Sequence, residues 1–278
     1  MSGLTRPATR AELAWVGPAA TRSRIIDDAA DLAAIHDSEP WRVRVTERGE
    51  AALLDRWRTH LDDLAVLGLW CSPRRVPLLI ADIEDVARDH RFTRLLGPLV
   101  PESAARPYLD AGLRAIERIL VMRADAHALS RACAREEAGL AIRPATEADL
   151  PSVCALDAAC FEPFWHYDLR LLRRLARSDR VAVAEKDGAL IGYTLATVRG
   201  VDGSLGRLAV APSMRRRGAG RALACEAVAW MAEQGTQAVM LSTQEGNTPG
   251  RALYRGLGFR EASGVLVACA SGPLSPRG

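Results

Sequence analysis

Apolar and polar positions in the second half of this 278-residue chain alternate in a pattern that predicts a run of strands and helices. Leu140-Ala-Ile-Arg143 opens with a strand, and Thr146 followed three residues later by Asp149 is a capping-box signal for a first helix. Val181 to Glu185 and Leu190 to Leu195 flank Lys186-Asp187-Gly188, an Asp-Gly hairpin turn. A fourth strand is expected from Ser204 to Ala211. After it, Gly220, Leu223, Ala224, Ala227, Val228 and Met231 recur at helical spacing and would lay one apolar stripe on the sheet. Ala238 to Thr243 reads as a fifth strand, and Val265-Leu-Val267 as the strand that closes this half.

The first half shows a similar pattern. Leu67-Gly-Leu-Trp-Cys-Ser-Pro73 resembles the strand that ends at Pro212, and a helix with Leu79, Ile83, Val86 and Ala87 on one face follows it. Next comes a strand, Arg94 to Val100. Tyr108-Leu-Asp-Ala-Gly112-Leu-Arg114 then parallels Tyr254-Arg-Gly-Leu-Gly258-Phe-Arg260, with Ile119-Leu-Val-Met122 expected to close the unit. Upstream, one helical stretch is expected around Ile25 to Ala34, with strands near Trp41 to Thr46 and Ala51 to Trp57. Self-similarity of this kind points to two tandem units, 1–125 and 139–278, separated by a linker or helix rich in alanine, arginine and glutamate at 126–138, with an unrelated domain of helices and strands in the first half as the alternative.

Chemistry concentrates where the fourth strand of the second half turns into its helix, through Arg215-Arg216-Arg217-Gly218-Ala219-Gly220. Two glycines let the backbone approach an anion, and the helix aims its unpaired N-terminal amides and positive dipole end at the same place. Three arginines add mobile positive charge. The spacing is neither the Walker pattern nor the G-x-G-x-x-G dinucleotide fingerprint, so the ligand it predicts is a phosphate-bearing cofactor of another kind. In the first half, Pro73 is followed by Arg-Arg-Val-Pro-Leu-Leu, without glycine. A diphosphate would meet side chains and a proline there.

Arg215-x-x-Gly-x-Gly220, followed by Asn247 and by Leu253-Tyr254-x-x-x-Gly258-Phe259, resembles the acetyl-CoA-binding core of the GNAT superfamily of N-acetyltransferases over roughly residues 139 to 270. One departure is Gly250, behind Pro249, where alanine is common in that family. The resemblance implies an α/β fold with two tandem units, each a twisted mixed sheet flanked by helices, the first degenerate. It also implies acetyl-CoA as cofactor, gripped by Arg215, Arg216, Arg217, Gly218, Ala219 and Gly220, with Leu208, Ala209 and Val210 holding the pantetheine arm as an added strand. Arg221, Asn247 and Arg251 are further candidates for cofactor contact, although Asn247 before Thr-Pro also reads as an ordinary helix-entry residue. Val210 would donate its amide to the developing oxyanion, and Tyr254 would donate to the leaving thiolate. The attacking amine must be neutral, and Glu162, then His166, are the candidate bases in Phe161 to Asp168, with Gln244 and Glu245 also near the acceptor. The implied reaction is direct acetyl transfer to a primary amine of a small molecule or peptide. A non-catalytic acyl-CoA sensor or scaffold, and a transferase for a longer acyl donor, stay open.

Composition narrows the setting. Net charge is +3 and Lys186 is the single lysine among many arginines, with no basic amphipathic run, which argues against nucleic acid as partner. The six cysteines are scattered in apolar patterns, as reduced thiols in a cytosol would be, and the five histidines show no metal-ligand spacing. Glu12 and Pro18 interrupt any apolar core of a signal peptide, and no apolar run approaches the roughly 20 residues of a membrane helix. The expectation is a cytoplasmic monomer or homodimer, without metal or membrane partner.

Overall fold

The computed structural model describes residues 3–23, 25–26, 28–133 and 140–275. It divides into two compact units, one built from residues 1–118 with 265–278 and the other from 119–264.

In the first unit the chain forms β1 (Arg6–Pro7), α1 (Leu13–Arg22), α2 (Ala29–Ser38), β2 (Val43–Val45), β3 (Ala51–Trp57), β4 (His60–Trp70), α3 (Val76–Asp89), β5 (Arg94–Leu96), β6 (Val100–Pro101) and α4 (Arg106–Asp110). Strands β1 to β4 are antiparallel neighbours, and β4 then pairs in parallel with β5. The apolar stripe of α3 is buried as the spacing predicts, through Leu79, Ile83, Val86 and Ala87. Helix α1 was not expected; it carries Pro18 in its interior and buries Val16 and Ala20.

Strand β7 (Arg114–Asp125) crosses the division between units. The second unit continues with α5 (Ala126–Cys133), β8 (Ala141–Pro144), α6 (Leu150–Cys160), α7 (Leu169–Ser178), β9 (Arg180–Lys186), β10 (Ala189–Arg199), β11 (Asp202–Val210), α8 (Ala219–Glu233), β12 (Ala238–Gln244) and α9 (Thr248–Leu257), and β13 (Arg260–Ala270) crosses the division again at Val265. Strands β8 to β11 are antiparallel, and β11 pairs in parallel with β12. Apart from β6 in the first unit and α5 in the second, both units thus run through the same elements in the same order.

The closing strands depart from expectation. Ile119 to Met122 does not close the first unit; it pairs antiparallel with β12, inside the second. Val267 of β13 pairs with Val100, inside the first. Ala126–Cys133 is a helix of the second unit, and residues 134–138 of the expected linker lie outside the described ones. Apolar β-branched runs mark a strand but carry no information about which sheet it joins.

The order of elements exposes a repeat that periodicity had not paired. Arg6-Pro-Ala-Thr9-x-Ala-Glu12-Leu13 matches Arg143-Pro-Ala-Thr146-x-Ala-Asp149-Leu150. In each copy the threonine and acid form a reciprocal capping box, and the arginine pairs with that acid. Register extends the match: Val43 opposes Leu53 as Val181 opposes Leu195, and Val45 opposes Ala51 as Val183 opposes Tyr193.

Candidate functional site

The site is built in the second unit where β11 parts from β12. The two strands pair only from Asp202 with Ala238 to Ser204 with Met240, although β11 continues to Val210. On its other side β11 stays paired with β10, and the Ala211 amide donates to the Ile191 carbonyl at 2.8 Å. Hydrogen-bonded pairs alternate along an antiparallel ladder, so Ala211 and Ala209 turn their main chain toward β10, whereas Val210 and Leu208 turn theirs toward the opening. Ala209, expected to bind the cofactor, is therefore spent on the sheet. The Val210 carbonyl receives Arg215 Nε at 3.2 Å and the Cys160 thiol at 3.3 Å, which leaves the Val210 amide as the group facing the gap.

The cradle follows. Arg216 has φ +62° and Gly218 φ +85°, two left-handed residues that turn successive amides inward as a nest, and α8 begins at Ala219. No side chain caps α8, so the amides of Ala219, Gly220 and Arg221 stay open. A Cβ on Gly218 would meet nothing within 4 Å, so glycine is required there by backbone angle, while Gly220 packs toward Leu253 and Val210. Arg216 and Arg217 are exposed and, among the described residues, have no ion-pair partner.

Four expected cofactor side chains are occupied elsewhere. Arg215 turns back on Val210. Arg221 donates to the carbonyls of Gly256 and Ala132, and Arg251 to the Glu245 carbonyl and Glu261. Asn247 caps α9, its Oδ1 accepting from the Gly250 amide at 3.1 Å and its Nδ2 donating to Thr243. Guanidinium groups near a helix end satisfy carbonyls as readily as phosphates, which sequence spacing cannot distinguish.

Tyr254 on α9 packs edge-on against Phe259, and its hydroxyl has no hydrogen-bond partner among the described residues. Burial pushes its pKa up to about 12, against the pull of the Arg207 cation. In the loop between α6 and α7, Glu162 is exposed; His166 Nε2 lies 2.9 Å from the Phe161 carbonyl, so that nitrogen carries the proton and Nδ1 keeps the lone pair.

Sequence reasoning missed a buried cluster under this loop. Asp157 of α6, wholly buried, accepts from Arg207 Nε at 2.8 Å, Arg207 Nη2 at 2.9 Å, the Tyr193 hydroxyl and the Tyr167 amide at 2.7 Å. Arg207 also donates to the Trp165 carbonyl at 2.7 Å, and its guanidinium lies 3.5 Å and 4.2 Å from the ring centroids of Phe161 and Tyr167. The signal was present: a lone acid, tyrosine and arginine inside apolar patterns.

The cysteines correct another expectation. Cys133 of α5 and Cys225 of α8 form a disulfide, while Cys71, Cys154, Cys160 and Cys269 are free. The bonded pair is 92 residues apart, so only the packing of α5 on α8 brings it together. Scattered spacing therefore says little about compartment. Among the described residues no helix is long and apolar enough to cross a membrane.

A sheet split beside an uncapped helix and a backbone nest puts open main-chain amides next to a free strand edge in one α/β unit. The model of the acetyltransferase (GNAT) family matches residues 150–259, which lie in the second unit. A mycothiol acetyltransferase of Clavibacter sepedonicus is 32% identical over 174 residues, 58% of this chain and 57% of the relative, so the chain spans little more than half of it. The fold is shared with a GCN5-related N-acetyltransferase from Sphaerobacter thermophilus (TM-score 0.65, 18% identity, 98% of this chain and 96% of that one). It is also shared with a tandem GNAT protein from the clavulanic acid pathway (TM-score 0.63, 20% identity, 85% and 83%).

Proposed function

We propose that the second unit is an acetyl-CoA-dependent N-acetyltransferase that acts on a primary amine of a small molecule or peptide by direct attack, with no acyl-enzyme. The observation that carries this reading is the nest of open amides from Arg216 to Arg221, set beside a strand whose Val210 amide faces an opening. The donor set fits coenzyme A: main-chain amides for a diphosphate, exposed Arg216 and Arg217 around it, and strand edge at Leu208 and Val210 for an extended arm. When bound, acetyl-CoA supplies an activated thioester.

The residues of this chain supply position and proton control. The Val210 amide offers a fixed donor toward the opening. Tyr254, at a pKa of about 12, keeps its proton throughout the working range. Full transfer to a thiolate of ordinary pKa, about 8.5, would be uphill by about 5 kcal/mol, so Tyr254 acts as a hydrogen-bond donor. Glu162, or His166 through Nδ1, takes the proton of the amine. The name of the Clavibacter relative favours a small molecule as acceptor.

Calorimetry with coenzyme A, then thiol release from acetyl-CoA against an amino sugar, a dipeptide and a lysine peptide, tests the reading. Heat with coenzyme A and turnover with one amine, slowed in Glu162→Gln or His166→Gln, are expected. No heat overturns it; binding without turnover by any amine turns it toward a sensor, and turnover only with longer acyl-CoA changes the donor.

A further inference from the structure

The Asp157–Tyr193–Arg207 cluster has a counterpart position in the first unit. The shared Arg-Pro-Ala-Thr motif aligns Ala20 with Asp157, both wholly buried. Strand register aligns Ala51 with Tyr193 through Val45 and Val183, and Gly68 with Arg207, because Leu53 opposes Gly68 as Leu195 opposes Arg207. The same core layer is thus Ala, Ala and Gly in one unit and Asp, Tyr and Arg in the other. In the first unit the space is taken by Trp70 and Ile25: a Cβ on Gly68 would lie 2.7 Å from the Trp70 ring and 2.6 Å from Ile25. The fold closes this layer with apolar atoms, so it does not require the ionic cluster.

Buried ions replaced by apolar groups commonly leave stability unchanged or improved, and a cluster kept at that cost needs another use. Its contacts show one. Besides binding Asp157, Arg207 and Asp157 together hold the Trp165 carbonyl, the Tyr167 amide and the faces of Phe161 and Tyr167, four points on the loop that carries Glu162 and His166. Arg207 itself stands on β11, one residue before Leu208 and three before Val210.

We propose that Arg207, clamped by Asp157 and Tyr193, is a positioning residue that ties the loop 161–168 to the cofactor strand and so sets where the acceptor amine sits relative to Val210. The bidentate guanidinium fixes orientation as well as distance, which lysine cannot reproduce. This rests on the transferase reading above.

Two variants test it: Arg207→Lys, which keeps the charge, and the double variant Asp157→Leu with Arg207→Met, which removes both charges. Both are expected to bind coenzyme A in calorimetry as the parent does. Amide exchange of residues 161–168 should rise at least about tenfold, and KM for the best amine of the panel should rise about tenfold with kcat changed by less than about threefold. Unchanged exchange in the loop overturns the proposal, and so does a double variant that fails to fold or that loses coenzyme A affinity in the same proportion, since either makes the cluster part of general stability. The exchange readout needs no substrate: a parent protein that fails to bind coenzyme A would remove the transferase reading while the tie between Arg207 and the loop is still measured.

Discussion

The two units share the order of their elements, the capping box, the strand register and a tyrosine after the fifth strand, yet they differ where chemistry would occur. Pro73 stands three residues before α3 and Pro212 seven before α8, so the second unit has four additional residues, Arg215 to Gly218, and these form the nest. In the first unit the 3-10 turn Pro73–Arg75 runs straight into the helix: the Val76 amide is taken by the Pro73 carbonyl, and Pro77 has no amide to offer. Arg75 there pairs with Glu50 at 2.8 Å. The parallel strands part in both units, β4 from β5 after Ala65 and β11 from β12 after Ser204. A split sheet is therefore a property of the fold, whereas the amide nest and the buried ionic layer belong to one copy. Tyrosine pKa fails to separate the copies, because burial pushes Tyr108 and Tyr254 alike up to about 12.

The disulfide is the largest asymmetry that can be removed. Reducing Cys133–Cys225, or replacing Cys225 by serine, is expected to lower the stability of the second unit by about 2–4 kcal/mol, since the bond closes a long loop. Urea unfolding with and without a reductant measures this, and coincident curves would mean that the bond is not made in solution.

Next in size is Gly218→Val. Nothing within 4 Å resists the added atoms, so the fold should survive; the cost lies in holding a β-branched residue at φ +85°. A strain of about 1–3 kcal/mol corresponds to a loss of roughly five- to 150-fold in coenzyme A affinity. Val76→Gly, at the first position of α3, should create no second binding event by calorimetry, because the first unit has no counterpart of the four residues that form the nest. Equal affinity in Gly218→Val would erase the distinction between the copies. Tyr254→Phe should lower kcat by roughly tenfold, the worth of a hydrogen bond to a charged group at about 1.5 kcal/mol, while Tyr108→Phe leaves kcat unchanged.

How far the sequence discloses these differences depends on range. Local signals were legible: the Asp187-Gly188 turn, the Thr146 to Asp149 cap, the stripe of α8 and the glycines of the nest all act within a few residues. What escaped was set by distance along the chain. The exchanged closing strands, the Cys133 to Cys225 bond and the meeting of Asp157, Tyr193 and Arg207 each join segments that only tertiary packing brings together. Side-chain partners were hidden for a related reason: nearby carbonyls and a helix end engage Arg221, Arg251 and Asn247, which spacing alone does not disclose.

The smallest effect bears on the feature the copies share. Both Tyr108 and Tyr254 titrate near 12 in the folded chain, and near 10 when unfolding exposes them. Because the folded value is the higher one, the unfolded state loses its proton first as pH rises, and stability present below pH 10 is drawn down between pH 10 and 12. At pH 11 each tyrosine should account for about 1 kcal/mol of that loss. Replacing either one by phenylalanine should therefore flatten the alkaline limb by the same amount, measured as urea midpoints from pH 8 to 11.5. The two variants then part in catalysis alone: equal shifts in stability beside an effect on kcat confined to Tyr254→Phe would show that burial sets the titration in both copies and that function comes from what Tyr254 faces. Unequal flattening would instead tie the titration of Tyr254 to Arg207, the charge that its counterpart lacks.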